Sequence, residues 1–241
     1  IVFDTDFEVS KAVAKKASVS VVTSVNEVWE RRPGIAIIAA PTNHHIELAL
    51  AAAMIGCNVF IEKPLSYTLD GVDELQEKIQ RSGLVSLIGC NMRFHPGPVQ
   101  IRKWLDQGII GQPLSARIQA GSYLPRWRPN LDYRDSYSAS LVWGGAILDC
   151  IHEIDLALWF MGPGEVAAAL TRPASVLGLR TDGLSEIILE HSSGALSNIH
   201  LNFVQRNYHR SIQIIGSEGT IEWDFNEGKT KRYGPDGQLA Q

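Results

Sequence analysis

The chain has 241 residues, of which 45% are hydrophobic and 20% charged, and its formal net charge is -4. This composition is typical of a globular protein, and the length allows one large or two modest domains. The small net charge, spread without runs, argues against a nucleic-acid or membrane partner, and no apolar stretch is long enough to cross a membrane. Cys57, Cys90 and Cys150 lie in apolar surroundings, and with no secretory signal they predict reduced residues of a cytoplasmic protein.

The first half of the chain alternates strands and helices. Ile1 to Asp4 is typical of a strand already under way with no methionine before it, so we expect a piece of a longer protein, incomplete at its N-terminal end. Apolar runs predict buried strands over residues 20–23, 35–40, 58–62 and 85–90, and periodic patterns predict helices over about 8–17, 46–55 and 70–82. This alternation predicts an α/β fold with a doubly wound parallel sheet over residues 1–94.

The pattern changes at residue 95. Pro96 begins a predicted helix that ends near Gly108, and a strongly apolar helix is predicted over residues 147–161. Strands are predicted over residues 114–120, 166–171, 185–191, 195–203, 211–216 and 220–225, with hairpin turns between the later ones. Residues 95–241 are therefore predicted to form a second α/β domain with a mostly antiparallel sheet, incomplete at its C-terminal end.

Two polar residues follow one of the predicted buried strands. Glu62 and Lys63 come directly after the apolar run that ends at Ile61, and Pro64 is next. The carboxyl ends of parallel strands form the ligand crevice of an open α/β sheet, so both side chains would be aimed at a bound molecule. Pro64 disfavours a helical Lys63 and so holds it at the strand tip. An arbitrary lysine in such a place is more often simply solvated.

An acid also follows the first predicted strand. Asp4 would hydrogen-bond the ribose hydroxyls of a dinucleotide, as an acid does at the end of the second strand of a dinucleotide-binding fold. Asp6 competes for this role. The Gly-rich phosphate loop that should precede such a strand is not among these residues, so the pyrophosphate site stays unassigned.

A third group of polar residues lies in the apolar helix after Gly144 and Gly145. Asp149, His152 and Asp155 are spaced three apart, which makes each a neighbour of the next on one helix face. A histidine beside carboxylates is suited to act as a general base. A buried polar cluster that anchors the helix explains the same spacing about equally well. Cys150 and His152 lack the further ligands that a closed metal site needs, so no metal is predicted.

Several motifs agree jointly in order and spacing, and together they resemble the Gfo/Idh/MocA family of NAD(P)-dependent oxidoreductases. They are Pro41-Thr42-Asn43-His44-His45, Glu62-Lys63-Pro64, the segment from Gly89 to Phe94, the Gly-Gly helix to Asp155, and the late hairpin from Ile214 to Thr220. The resemblance covers essentially the whole chain. It implies a Rossmann domain joined to an α/β domain with a large open sheet, and an oxidation or reduction at a secondary alcohol or ketone of a sugar, cyclitol or sugar derivative.

The resemblance also implies roles for individual residues. Lys63, Asp149 and His152 match the family's catalytic trio, without settling which of Lys63 and His152 is the base. The implied contacts to NAD or NADP are Asp4, Ala40, Pro41, Asn43, His45, Glu62, Lys63, Asn91 and Arg93. One departure matters: the common pattern is Asp-x-Gly-x-His, whereas this chain is one residue shorter between Asp149 and His152. The deletion would rotate Asp149 by about 100° around the helix axis, away from the site. His152 is therefore a stronger match to the catalytic trio than Asp149.

An irregular segment rich in aromatic residues and arginines, 123–134, resembles a branch of the family associated with surface-sugar pathways. Aromatic planes and arginine forks suit a polyhydroxylated or anionic sugar derivative. The predicted substrate contacts are Arg93, Tyr123, Arg126, Trp127, Asp149 and His152. An ordered loop that packs its aromatic residues on the second domain is an equally good explanation.

Two other interpretations remain open. The same family fold also serves a non-catalytic NAD(P)-binding regulator, the yeast galactose-pathway repressor, and a truncated chain would be inert whatever the parent protein does. Lys63, His152 and Asp155 together favour the enzyme, because a sensor needs no proton transfer. The late strands have no following helices to cover one sheet face, so we also expect a homodimer or homotetramer.

Overall fold

The computed structural model describes residues 1–240, and contacts divide the chain into two compact units, Ile1–Gly89 and Cys90–Gln241. The sequence predicted the boundary after residue 94. The earlier division has a physical reason in Arg93, whose guanidinium pairs with Asp155 of the second unit.

The first unit contains a three-stranded parallel sheet whose strands lie side by side in chain order. Its small alanines Ala49, Ala52 and Ala53 are fully buried and let one helix approach the sheet closely, against Val59 and Ile61. The other face of the first strand is exposed. The helices are α1 (Phe7–Ala17), α2 (Val25–Glu30), α3 (His45–Met54) and α4 (Val72–Ser82), and the strands are β1 (Ile35–Ile38), β2 (Asn58–Ile61) and β3 (Ser86–Ile88).

The strands predicted at residues 1–4 and 20–23 are wrong in extent. Only an isolated parallel bridge joins Val2 to Val21. The chain leaves the extended conformation early because Asp6 caps α1: its carboxylate accepts hydrogen bonds from the amides of Glu8 and Val9.

The second unit contains a seven-stranded sheet in the order β10 (Lys229–Tyr233), β9 (Gly219–Asp224), β8 (Val204–Gly216), β4 (Pro113–Tyr123), β7 (Leu196–Asn202), β6 (Asp182–His191) and β5 (Gly164–Pro173). β4 and β7 are parallel, and every other neighbouring pair is antiparallel. The predicted fold class, a Rossmann-like parallel sheet followed by a large, mostly antiparallel sheet, is confirmed. The helices of this unit are α5 (Pro96–Asp106), α6 (Ala146–Asp149) and α7 (Ile151–Met161).

The two faces of this sheet have different chemistry. Alternate residues such as Ile118, Ile199 and Ile212 join one buried core with Leu156 and Phe160 of α7. The outer face carries many polar side chains, which bond one another across strands. The bonds include His200 to Glu186 at 2.6 Å, Gln119 to Ser211 at 2.8 Å and Gln213 to Glu222 at 2.9 Å.

Among residues 1–240, no helix is long and apolar enough to cross a membrane. The same residues contain no group of three or more His, Cys, Asp or Glu side chains placed to hold a metal ion. Cys57 and Cys150 are buried as predicted, whereas Cys90 is only half-buried.

Candidate active site

The tip of β2 carries Glu62 and Lys63. The amide of Glu62 continues the parallel ladder by donating to the carbonyl of Ile38 at 2.9 Å, and Lys63 begins the departure from the sheet. Gly89 lies beside this tip, and a Cβ there would come within 3.0 Å of the Glu62 carboxylate. The side chain of Lys63 is half-buried. The structure therefore places the lysine at the carboxyl end of a parallel strand, where the sequence predicted it.

Asp4 and Asp6, the two acids near the N-terminal end, make different hydrogen bonds. The Oδ1 atom of Asp6 caps α1 by accepting two amide hydrogen bonds, which fixes this carboxylate at the start of the helix. Asp4 is exposed, and its Oδ1 accepts one hydrogen bond, from the amide of Asp6 at 2.9 Å. A carboxylate has several acceptor positions, so Asp4 retains capacity for hydroxyl donors.

The Pro41–His45 motif forms the entry to α3. Pro41 is exposed and precedes a single 3-10 turn, Thr42–His44. Asn43 is half-buried, and its side-chain nitrogen lies 3.2 Å from the ring of His44. His45 is buried, and both its ring nitrogens lie 2.8 Å from main-chain carbonyl oxygens, those of Pro64 and Ala40. His45 thus has no ring nitrogen left for a ligand.

Arg93 is held by an ion pair. Its guanidinium binds the Asp155 carboxylate in a bidentate manner, with distances of 2.8 and 2.6 Å, and lies 5.5 Å from the ring of Trp159. The hydrogen bond to Asp155 raises the pKa of Arg93. Two of the arginine's five N–H donors are therefore engaged with α7, while Asn91, at the start of the same 3-10 turn, is exposed.

The predicted single helix through Asp149 and His152 is wrong. The chain forms two helices, α6 and α7, interrupted at Cys150, whose φ and ψ are -98° and 33°. The interruption lies between Asp149 and His152, where this chain has one residue fewer than the Asp-x-Gly-x-His pattern. Asp149 and His152 are both buried, at 6% and 8% exposure. The expected rotation of Asp149 onto a different helix face does not apply, because no continuous helix joins the two residues.

Tyr137 is a polar neighbour of Asp149 that the sequence did not reveal. Partial burial, the charge of Asp149 and a hydrogen bond to that carboxylate raise the pKa of Tyr137. Arg128 opposes the shift, and its guanidinium lies 4.7 Å from the tyrosine ring. The phenol therefore acts as a stable hydrogen-bond donor to a buried carboxylate.

The Gly-Gly pair explains how Tyr137 comes to lie beside the helix. A Cβ at Gly144 would collide with the carbonyl oxygens of Tyr137, Ser138 and Ser140, and Gly145 has a φ of 100° that side chains disfavour. Gly145 donates its amide to the Ser138 carbonyl at 3.0 Å. Glycine at both positions thus lets this turn pack against the start of α6. The Gly-Gly pair is the sequence feature that could have indicated this close packing.

A buried ion pair anchors α7 to the sheet and was also missed. Glu153, 1% exposed, lies 2.7 Å from Nε of Arg210 on β8. The Arg210 guanidinium also contacts the sulfur of Met92 at 3.3 Å. Removal of one member of such a pair leaves a buried charge, so the pair fixes the orientation of the first turn of α7, which carries His152.

The aromatic segment after β4 is partly packed into the second unit. Trp127 donates to Ser122 at 2.8 Å and lies edge-on to Phe203, with ring centroids 5.3 Å apart. Two guanidinium groups lie near the ring of Tyr123, that of Arg206 at 3.9 Å and that of Arg126 at 5.7 Å from its centroid. Tyr123 and Trp127 both pack partly against the core of the second unit, and the exposed Arg126 and Arg206 add positive charge beside Tyr123.

Comparison with known proteins identifies the family. The profile described as "Oxidoreductase family, NAD-binding Rossmann fold" matches residues 1–90, and that described as "GFO/IDH/MocA C-terminal domain" matches residues 99–222. The chain belongs to the Gfo/Idh/MocA family. Both halves match in the expected order.

Relatives of this Gfo/Idh/MocA chain include sugar and cyclitol dehydrogenases. Myo-inositol 2-dehydrogenase of Thermotoga maritima is 32% identical over 193 residues, covering 77% of this chain and 54% of the relative. Levoglucosan dehydrogenase of Pseudarthrobacter phenanthrenivorans is 28% identical, covering 78% and 54%. The chain thus spans about half the length of the curated relatives it matches.

A solved structure shows the same fold. A levoglucosan dehydrogenase in complex with NADH and levoglucosan superposes with a TM-score of 0.86 at 20% identity, covering 97% of this chain and 66% of that one. Within the Gfo/Idh/MocA fold, the first unit of this chain carries Asp4, Ala40, Pro41, Asn43, His45, Glu62 and Lys63, and the second carries Asn91, Arg93, Tyr123, Arg126, Trp127, Asp149 and His152.

Proposed function

We propose that the protein is an oxidoreductase that transfers a hydride between a nicotinamide nucleotide and a secondary alcohol or ketone of a sugar, cyclitol or sugar derivative. One observation carries the proposal: a lysine at the tip of a parallel strand, and two buried polar residues, Asp149 and His152, occur in the two matched family domains. The names of the relatives, an inositol and a levoglucosan dehydrogenase, support this substrate class.

The residues at the strand ends fit a dinucleotide. Asp4 is exposed and offers acceptor capacity for ribose hydroxyls, while Asp6 is engaged in its cap. Ala40, Pro41 and Glu62 follow β1 and β2 at their carboxyl ends, where ligands bind in open α/β sheets. The bound nucleotide supplies the group that accepts or donates the hydride.

Side chains of the protein accept the proton of the substrate hydroxyl and stabilise the charge that develops. His152 accepts the hydroxyl proton of the alcohol, and Lys63 donates a hydrogen bond that stabilises the alkoxide as it develops. Asp149 stabilises the positive charge that His152 gains, and Tyr137 holds the Asp149 carboxylate in place through its phenol. Tyr123 and Arg126 supply an aromatic plane and a cation for recognition of the sugar.

We expect NADH to bind more tightly than NADPH by about tenfold, because the carboxylate of Asp4 accepts from ribose hydroxyls and repels a 2′-phosphate. Titration of the intact protein with each reduced nucleotide, followed by fluorescence, measures this. Asp4→Asn should bring the dissociation constants for NADH and NADPH closer together. Asp70→Asn, a change at another exposed acid, should leave the ratio of these two constants unchanged.

The same titration, followed by turnover assays on sugars and cyclitols with both nucleotides, tests the proposed function as a whole. Saturable binding with turnover supports it. Binding without turnover on any of them would favour a nucleotide-sensing regulator, and no binding would remove both interpretations.

We also propose a homodimer or homotetramer assembled through the outer face of the seven-stranded sheet. On that face, Ile188 and Leu196 of adjacent strands are 37% and 48% exposed among hydrogen-bonded polar side chains. A surface that mixes apolar and polar side chains in this way is typical of subunit interfaces. Light scattering at micromolar concentration should show a dimer or tetramer, and Ile188→Glu should dissociate it. A strictly monomeric wild-type protein would contradict the proposal.

A further inference from the structure

His45 connects two strand tips through one buried side chain. It is the first residue of α3 and is 1% exposed. Its Nδ1 lies 2.8 Å from the carbonyl oxygen of Pro64, and its Nε2 lies 2.8 Å from the carbonyl oxygen of Ala40. Ala40 follows β1, and Pro64 follows Lys63 beyond the end of β2.

The chemistry of these two contacts is unusual for a buried histidine. Both partners are carbonyl oxygens, which only accept hydrogen bonds, whereas a neutral imidazole donates from one nitrogen alone. Any ring nitrogen of His45 that carries a proton therefore donates to a main-chain carbonyl oxygen at 2.8 Å. Because both ring nitrogens contact main-chain carbonyl groups, the side chain of His45 holds these two backbone segments together.

The neighbouring histidine provides a contrast. The ring of His44 is exposed, and it contacts the side chains of Asn43 and Glu47, at 3.2 and 3.9 Å. Two adjacent histidines at the start of one helix therefore have opposite environments, and only His45 reaches the segment that contains Lys63.

We propose that His45 is a positioning residue that fixes Lys63 through the carbonyl group of Pro64. Lys63 and Pro64 share a peptide bond, so an anchor on the next carbonyl restricts the direction in which the lysine leaves β2. The proposal rests on the proposed role of Lys63 in stabilising the alkoxide. It replaces the predicted contact between His45 and the nucleotide.

Two amide variants separate the two hydrogen bonds. The side-chain nitrogen of asparagine lies where Nδ1 lies in histidine, and that of glutamine lies near the place of Nε2. His45→Asn therefore retains the donor to Pro64, and His45→Gln retains the donor to Ala40. We expect His45→Asn to keep most of the turnover, and His45→Gln and His45→Ala to lower kcat by about tenfold to a hundredfold. The KM for the nucleotide should not change, and His44→Ala should behave as wild type.

A second readout needs neither nucleotide nor substrate. Hydrogen–deuterium exchange of the peptide that spans Glu62 to Thr68 should be faster in His45→Gln and His45→Ala than in wild type, and close to wild type in His45→Asn. If the wild-type protein turns over no sugar, the proposed function fails, while the exchange experiment still decides whether His45 holds this segment.

Several outcomes would overturn the proposal. Equal losses of kcat in His45→Asn and His45→Gln at matched melting temperatures would show that the bond to Pro64 has no special role. A weaker nucleotide affinity with unchanged kcat would restore a direct contact with the nucleotide. Unchanged exchange in folded His45→Ala, or failure of all three variants to fold, would leave His45 without a role specific to Lys63.

Discussion

Lys63→Ala is expected to lower kcat by about 10²–10³ while nucleotide affinity changes little. The reason is that a positioned donor to a developing alkoxide acts mainly in the transition state. Lys63→Arg should not restore the rate, because a planar guanidinium does not replace a compact ammonium in a confined site. Steady-state turnover and nucleotide titration on the same preparations of the intact protein measure both quantities.

The control for this experiment is an exposed lysine in the same unit. Lys16, in the last turn of α1, is exposed, and Lys16→Ala should retain full turnover. If Lys63 were only a solvated residue at a strand end, its variant would also keep wild-type turnover. Full turnover in a stably folded Lys63→Ala protein would remove the proposed mechanism.

His152→Ala is expected to lower turnover by about 10²–10⁴, the usual contribution of a positioned general base. The loss should become smaller as the pH rises, because hydroxide increasingly replaces the missing base. A pH profile of kcat for the wild type and the variant, from neutral pH upward, gives the ratio at each pH.

Melting temperatures of the same samples distinguish catalysis from structural support. His152 is buried beside the ion pair between Glu153 and Arg210, so its removal also lowers stability to some extent. A purely structural histidine would give a lower melting temperature with unchanged activity per folded molecule. His44→Ala, a change at an exposed histidine, should alter neither property. A ratio that stays constant with pH would argue against His152 as the base.

The sequence alone was sufficient for the fold class and the family. Apolar runs that end in polar residues, as from Val59 to Lys63, are local patterns, and they indicate a buried strand and its tip without knowledge of the rest of the chain. The alternation of such runs with helices predicts a parallel sheet for the same reason. The motifs around Glu62-Lys63-Pro64 and Gly144-Gly145 then indicated the family, which the comparisons confirm.

Patterns of this kind were less reliable at the edges of elements. Periodicity predicted one helix over residues 147–161, but the chain breaks at Cys150, and the expected strand at residues 1–4 is only a bridge at Val2. An apolar pattern continues through a helix break, because the residues on either side are buried in the same core. Capping and local dihedral angles decide such ends, and these depend on neighbours in space.

Partners far apart in sequence were decided only by the tertiary structure. Tyr137 donates to Asp149 because two glycines admit a turn against α6, and Glu153 pairs with Arg210 because α7 packs on β8. The two histidines of one motif, His44 and His45, are indistinguishable in sequence, yet one is exposed and the other binds two carbonyl groups. The difference arises because backbone carbonyls have no sequence signature, and only the packed chain brings them to a particular side chain.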